Sequence, residues 1–144
     1  MNLTPHFTLA ELTVTDHREF DNTPGGYALE NLKRLADFLE QVKVVLGGKP
    51  IMINSAYRSA QVNAAVGSKP SSQHRIGCAA DFRVPGMTPD QVVQALRKST
   101  VRFDQLIREF DRWTHVSIPN TPGDIARLQT LIIDAKTPAG RPYA

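Results

Sequence analysis

Apolar side chains recur at steps of three and four residues in the first half of the chain, a spacing that predicts one face of an amphipathic helix. The stripe lies between residues 28 and 46 and consists of Leu32, Leu35, Leu39, Val42 and Leu46. Gly47 and Gly48 follow directly, and glycine readily adopts the left-handed backbone that ends many helices. We therefore predict a long helix over residues 28–46.

A second, shorter helix is predicted from Thr88 to about Lys98. Thr88 is a capping residue, Pro89 suits the first helical position, and Gln91 stands where a capping box requires it. The apolar face of this helix would consist of Val92, Val93 and Leu96.

Strands are predicted over residues 50–55, 103–110, 113–118 and 127–133, which are rich in β-prone side chains. Only Asp111 and Arg112 separate the middle two, so a hairpin with a short turn is the simplest interpretation. With a further strand leading through Asp81, the chain has about five strands and two helices. This pattern predicts an α+β fold, in which a mainly antiparallel sheet packs against two or three helices.

The two ends of the chain show little periodicity. Residues 1–26 contain Pro, Asn, Asp and a glycine pair, which predicts an irregular N-terminal arm wrapped around the domain. The exception is residues 7–12, where a turn of helix is expected. Residues 136–144 contain Thr, Pro and Gly and predict a flexible tail.

Composition narrows the class of protein. The 144 residues are 41% hydrophobic and 22% charged, which is typical of one globular domain over residues 1–144. Cys78 is the one cysteine, so no internal disulfide can form. The net charge of +3 is scattered along the chain, which argues against a nucleic-acid partner.

Targeting signals are not recognisable in the sequence. No apolar run approaches the roughly 20 residues that cross a bilayer, so no stable membrane insertion is expected. The N-terminus has neither a positive leader nor an apolar segment after it, so we expect synthesis in the cytoplasm without a signal peptide. We further expect a monomer.

The candidate chemistry lies in residues 71–82, where His74 and Asp81 are seven residues apart with Gly77 between them. Zinc accepts imidazole and carboxylate donors, and a catalytic zinc needs three protein ligands. His115 is the most plausible third donor, because its strand can lie beside the strand that carries Asp81. Taken singly, each histidine is more often a surface or core residue than a ligand, and Asp81 could cap a turn.

Four ordered segments carry a resemblance to a known family. They are Ser55–Ser59, Asn63–Gly67, Ser72–Asp81 and Trp113–His115. In this order they resemble the M15 family of zinc peptidases, which includes D-alanyl-D-alanine carboxypeptidases and related cell-wall peptidases of bacteria and phages. The resemblance covers about residues 30–118 and is strongest to the short, single-domain branch found in phages and prophages.

The resemblance implies a hedgehog-like M15 fold and one zinc ion, with His74, Asp81 and His115 as its ligands. Arg58, in the Tyr-Arg-Ser segment, would bind substrate and steady the oxygen of the attacked carbonyl. Many members place an acid three residues before the last zinc histidine, where this chain has Arg112.

The sequence therefore offers two candidates for the general base. In the short branch the segment that resembles residues 105–109 commonly ends in glutamate, which favours Glu109. Asp111 remains the reserve. It would lie at the tip of a two-residue turn, away from the metal, whereas an uninterrupted strand would put both acids on the face of His115.

The function that the resemblance implies is hydrolysis of a peptide bond in bacterial peptidoglycan, with the stem peptide as substrate. The enzyme would be a D-Ala-D-Ala carboxypeptidase or an endopeptidase for an L-Ala-D-Glu or cross-link bond. Action on the cell wall without a leader suggests a phage or prophage lysin, or a virion component. The alternative is a non-catalytic, zinc-containing module that binds peptidoglycan, since the substitution at Arg112 makes loss of the base credible.

Overall fold

The computed structural model of the protein describes residues 1–143, which form two sheets, four α-helices and one 3-10 helix. The helices are α1 (Leu9–Leu12), α2 (Gly26–Val45), α3 (Ala60–Ala65) and α4 (Pro89–Lys98), and the 3-10 helix is Gln73–Ile76. The strands are β1 (Asn2–Thr4), β2 (Phe7–Thr8), β3 (Met52–Ser55), β4 (Ala79–Arg83), β5 (Gln105–Glu109), β6 (Trp113–Ser117), β7 (Gln129–Ile133) and β8 (Arg141–Pro142).

The larger sheet has six strands in the order β3-β4-β6-β5-β7-β8. All neighbouring strands are antiparallel except β5 and β7, which are parallel. β6 ends at the same end of the sheet at which β5 begins. The chain then crosses this end of the sheet, so β7 starts beside Gln105 and runs parallel to β5. The predicted α+β class with a mainly antiparallel sheet is confirmed.

The long helix α2 forms one side of the core. Its apolar stripe is fully buried at Leu32, Leu35 and Leu39, and burying each such side chain contributes about 1.5–3 kcal/mol. The helix ends at the predicted glycine pair, where Gly47 and Gly48 have φ of +74° and +77°. The observed helix, Gly26–Val45, begins two residues before the predicted 28–46 and ends one residue before it.

The shorter helix α4 begins with the predicted capping box. Thr88 Oγ1 accepts from the backbone N–H of Gln91, and the Gln91 side chain accepts from the backbone N–H of Thr88. Val92, Val93 and Leu96 are buried, as the apolar spacing predicts. The sequence therefore located this helix correctly.

The N-terminal arm and the C-terminal tail contain regular structure that the composition did not predict. β1 and β2 pair as a small antiparallel sheet within residues 1–26, and Thr8 and Glu11 form a capping box on the expected helical turn, α1. In the C-terminal tail, β8 pairs with β7 of the larger sheet. The Tyr143 hydroxyl of the tail donates to Asp90 Oδ1 at 2.7 Å.

The hairpin β5–β6 forms as expected, but its loop differs from the predicted two-residue turn. The loop has three residues, Phe110–Arg112, because Glu109 pairs with Trp113. Phe110 and Asp111 both have φ of +52°, a left-handed conformation that aspartate adopts more readily than phenylalanine. Residues that pair across neighbouring strands lie on the same face of the sheet, so Glu109 shares a face with Trp113. His115 is two residues beyond Trp113 and therefore lies on that face as well.

Within residues 1–143, no helix combines the length and apolar character needed to span a membrane.

Candidate metal centre

Two of the predicted ligands lie directly opposite each other on neighbouring strands. Asp81 on β4 pairs with His115 on β6, at the centre of the larger sheet. His115 Nδ1 lies 2.8 Å from Asp81 Oδ1. The antiparallel register therefore brings together two residues that are 34 positions apart in the chain.

The third predicted ligand, His74, lies on the 3-10 helix that precedes β4. Ser72 caps this helix by accepting from the His74 backbone N–H, and Gly77 ends it with φ of +79°. A Cβ atom at Gly77 would lie only 2.7 Å from the Ala28 carbonyl oxygen of α2. Asn31 of α2 also donates to the Ile76 carbonyl oxygen at 2.8 Å, so α2 holds this segment against the sheet.

The ring of His74 has one nitrogen available for a ligand. Its Nδ1 lies 2.7 Å from the Ala56 carbonyl oxygen, and a carbonyl can only accept, so Nδ1 carries the hydrogen. Nε2 then has a free lone pair and lies 3.4 Å from Asp81 Oδ2. Metal-binding histidines commonly use this arrangement, in which the second nitrogen donates to a carbonyl.

The three side chains fit a zinc ion. One ligand atom from each of His74, Asp81 and His115 lies within 4.8 Å of the other two, and all three residues are buried. Ligands of a tetrahedral zinc are about 3.4 Å apart, given metal–ligand bonds of about 2.0–2.2 Å. Two imidazoles and one carboxylate are also a donor set that zinc accepts.

Glu109 lies beside this cluster, at the end of β5. Its Oε1 is 3.8 Å from His115 Nδ1, and its Oε2 accepts from the indole N–H of Trp113 at 3.1 Å. Burial raises the pKa of Glu109, and the negative charge of Asp81 raises it further. A carboxylate with a raised pKa is better suited to accept a proton near neutral pH.

Arg58 approaches the cluster from the loop after β3. Its Nη2 donates to Asp81 Oδ2 at 3.3 Å, and its Nε donates to Ser55 Oγ at 3.1 Å. Burial lowers the pKa of Arg58, while the charges of Asp81 and Glu109 raise it. The guanidinium remains a cation at any physiological pH.

The protonation states of Asp81 and His74 suit ligation, whereas His115 must release a proton when a metal binds. Burial raises the pKa of Asp81, but the neighbouring His74 and His115 lower it more, so the carboxyl is ionised. Burial lowers the pKa of His74 and favours its neutral form. Burial also lowers the pKa of His115, but hydrogen bonding to Asp81 and its charge raise it to a net value above the ordinary one.

The structure thus brings together all five residues that the sequence singled out: Arg58, His74, Asp81, Glu109 and His115. The reserve base, Asp111, is not among them. It lies in the exposed hairpin loop, where its Oδ1 is 3.0 Å from Arg108 Nε.

The other histidines and the cysteine lie elsewhere. His6 contacts Glu40 and His17 contacts Glu19, both at the surface. Cys78 is fully buried, with its Sγ 3.9 Å from the Pro119 carbonyl oxygen.

Two polar residues that support the site were given no role by sequence reasoning. Asn22 joins three segments, because its side chain donates to the carbonyl oxygens of Thr13 and Tyr57 and accepts from the Ser59 N–H. Gln73, next to His74, donates to the Ile118 carbonyl oxygen at 2.9 Å. Gln73 lies within the segment Ser72–Asp81, which carries the family resemblance, but nothing in the sequence indicates the partners of either residue.

The buried His-Asp-His cluster offers a metal ion three donors, and a glutamate and an arginine lie beside it. A family model described as Peptidase M15 matches residues 5–117, and the chain belongs to this family. The protein is therefore a peptidase of the M15 class, whose members depend on zinc. A search of curated proteins finds no match to the chain.

Proposed function

We propose that the protein is a zinc-dependent peptidase that hydrolyses a peptide bond in bacterial peptidoglycan. The observation that carries the proposal is the convergence of the three ligand atoms within 4.8 Å, with a Glu109 oxygen 3.8 Å from His115. Donors and a base in this arrangement are what hydrolysis of an amide requires. The family resemblance to cell-wall peptidases supports the choice of substrate.

His74, Asp81 and His115 would hold a zinc ion, which would supply Lewis acidity for the attack of water on the scissile carbonyl. Glu109 accepts the proton from the attacking water and delivers it to the leaving amine. The indole N–H of Trp113 holds one oxygen of Glu109, which leaves the other, Oε1, directed toward the cluster. Trp113 thereby orients the base.

Arg58 stabilises the negative charge that develops on the carbonyl oxygen. Its contacts with Ser55 and Asp81 hold the guanidinium beside the ligands before substrate binds. A donor held in place in this way need not reorganise during the reaction, which is the main source of oxyanion stabilisation. The guanidinium also presents a rigid set of donors to the substrate.

The substrate proposed here is the stem peptide. The bond is either the terminal D-Ala-D-Ala bond or an L-Ala-D-Glu or cross-link bond, and the setting is a phage or prophage lysin that acts on the cell wall. The open cleft lined by Asn54 and Trp113 next to the cluster supports access for a polymer-attached peptide.

The test is digestion of purified wall sacculi, followed by mass spectrometry of the released muropeptides. The wild-type protein should produce one new set of masses, which identifies the bond, and chelator should abolish the products until zinc is added back. Glu109→Gln should lose about 10²–10⁴-fold in rate while retaining one zinc per chain.

Comparing wild type with Glu109→Gln separates an enzyme from a binding module. A module that retains only the fold would bind sacculi and zinc, yet wild type and Glu109→Gln would both yield no products. Zinc-loaded wild-type protein that releases nothing from sacculi would overturn the proposed function.

A further inference from the structure

The sheet face that carries the metal cluster continues by one row of side chains toward the β5–β6 loop. Along β4, Arg83 is two residues beyond Asp81 and so lies on the same face. Along β6, Trp113 is two residues before His115, and it pairs with Glu109 of β5. This second row lies about 7 Å from the first, measured along the strands.

Two arginines project from this end of the sheet. Arg83 and Arg112 are both exposed, and both line one open cleft together with Trp113, Asn54 and Asp16. Arg83 Nε donates to Asn54 Oδ1 at 3.3 Å. Over residues 1–143, the ion pairs of arginine involve Arg58, Arg108, Arg127 and Arg141, but neither Arg83 nor Arg112.

The balance of charge in the cleft is positive. Of the residues that line it, two are cationic and one, Asp16, is anionic, and Asp16 makes no ion pair with either arginine in the described part of the chain. The nearest other acid of the hairpin loop, Asp111, is engaged by Arg108. The cleft therefore retains guanidinium donors for a negatively charged group.

The same two arginines also border a second pocket, of about 360 Å³, that is mostly apolar. Its lining includes Met52, Val84 and Met87. The guanidinium groups thus lie between a polar cleft and an apolar pocket. A group with an aliphatic stem and an anionic end matches this boundary.

We propose that Arg83 and Arg112 bind a carboxylate of the substrate, and that this carboxylate helps to select which peptide is cut. The proposal rests on the proposed function. Guanidinium groups bind carboxylates in a bidentate, charge-assisted manner. The 7 Å between the two rows corresponds to about two residues of extended peptide, so the carboxylate belongs to a residue close to the scissile bond.

The test uses four pentapeptides of sequence L-Ala-γ-D-Glu-L-Lys-D-Ala-D-Ala. The α-carboxyl of the D-glutamate and the C-terminal carboxyl are each either free or amidated, in all combinations. The value of kcat/KM is measured on each peptide for wild type, Arg83→Gln, Arg112→Gln and Arg102→Gln. Arg102 is an exposed arginine at the other end of the sheet, before β5, and is the matched control.

Wild type should prefer the free form of one carboxyl to its amide by about tenfold or more, as expected for charge-assisted hydrogen bonds. The position at which amidation matters identifies the carboxylate. In Arg83→Gln and in Arg112→Gln this ratio should fall toward one, mainly through KM, whereas Arg102→Gln should keep it. Should Arg83→Gln fail to fold by circular dichroism, Arg112→Gln, in the hairpin loop, carries the test.

The proposal is overturned if wild type shows no preference for either free carboxyl, or if both variants keep the wild-type ratio. If wild type cleaves none of the four peptides, it acts on neither the D-Ala-D-Ala nor the L-Ala-D-Glu bond, and the subsite is judged from the dissociation constants of the same peptides by calorimetry. Binding that depends on a free carboxyl and on Arg83 or Arg112 would support the subsite. Equal binding of all four peptides, or none, would overturn it.

Discussion

Two buried aspartates on the larger sheet have the same chemistry but opposite surroundings. Asp104, just before β5, is 5% exposed and receives hydrogen bonds from the guanidinium of Arg127, the closest at 2.7 Å, and from the side chain of Gln73. Asp81, in the middle of β4, is 6% exposed and lies among His74, His115 and Arg58.

The difference shows how one carboxylate can be structural and another catalytic. The partner of Asp104 is Arg127, a permanent cation. The ion pair stabilises the fold, and the carboxylate is not available to another partner. Two of the partners of Asp81 are imidazoles, which also have a neutral form whose nitrogens are metal donors. The contacts of Asp81 with the two imidazoles can therefore be replaced by bonds to a metal ion, whereas the ion pair of Asp104 with Arg127 cannot.

The strongest test of this comparison exchanges each aspartate for asparagine. Asp81→Asn should lower kcat/KM by about a thousandfold, equivalent to about 4 kcal/mol of the barrier, and should reduce the zinc bound per chain. Asp104→Asn should retain activity within about tenfold, because Asp104 acts on the fold alone. Muropeptide release and elemental analysis measure both, and equal losses in the two variants would contradict the comparison.

A second test concerns the backbone that places His74. Gly77→Ala combines a positive φ with a 2.7 Å approach of Cβ to the Ala28 carbonyl oxygen, so it should cost at least about 3 kcal/mol of unfolding free energy. Gly67→Ala is the matched control, because Gly67 also has a positive φ of +75° but no heavy atom within 4 Å of its added Cβ.

The control should cost about 1 kcal/mol, the penalty of the left-handed conformation alone. Urea unfolding of the two variants gives the difference. Equal costs would show that close packing against α2 does not hold the segment that carries His74.

The structural half of the comparison is tested at Arg127. Arg127→Ala leaves Asp104 buried without its cation and should cost about 2 kcal/mol, reduced from the usual value for a buried pair because Arg127 is half exposed. Arg102→Ala, another exposed arginine, should change stability by less than about 0.5 kcal/mol. Activity should be unchanged in Arg102→Ala. A similar loss of stability in Arg127→Ala and Arg102→Ala would show that the ion pair with Asp104 does not stabilise the fold.

The smallest effect is the pH dependence of that pairing. Burial raises the pKa of Asp104, but the hydrogen bonds and charge of Arg127 lower it to a net value below the ordinary one. A lowered pKa adds stability above the unfolded pKa of about 3.9, and this stability is lost as the pH falls through the folded value.

The gap in unfolding free energy between wild type and Arg127→Ala should therefore shrink between pH 6 and pH 3. Urea unfolding at several pH values measures it. A gap that stays constant, or grows as the pH falls, would show that the contact of Arg127 is not ionic.

Local features of the chain were sufficient to predict the two longer helices and the candidate ligands, but not α3 or the 3-10 helix. The apolar stripe and glycine pair of α2 and the capping box of α4 act over a few neighbouring residues, so the sequence alone locates them. His74 and Asp81 lie within one ten-residue segment, and the small residues around them are visible without any fold.

The pairing of the strands that carry Asp81 and His115 was predicted, but other features that depend on distant pairing were not. The parallel placement of β7 and the pairing of β8 follow from how the chain crosses the end of the sheet, which composition does not reveal. The cleft lined by Arg83 and Arg112 brings together residues 29 positions apart, and nothing in the sequence indicates that the two are neighbours.

The position of the base shows the limit most clearly. A two-residue turn at Asp111 and Arg112 would have put Glu109 on the opposite face of the sheet from His115, because a shift of one residue reverses every side chain. The three-residue loop keeps Glu109 3.8 Å from that ring. The sequence by itself determined the donor types and the two longer helices, since these depend on neighbouring residues. Only the tertiary structure decided that a base, an arginine and three ligands meet, because strand register sets which side chains share a face.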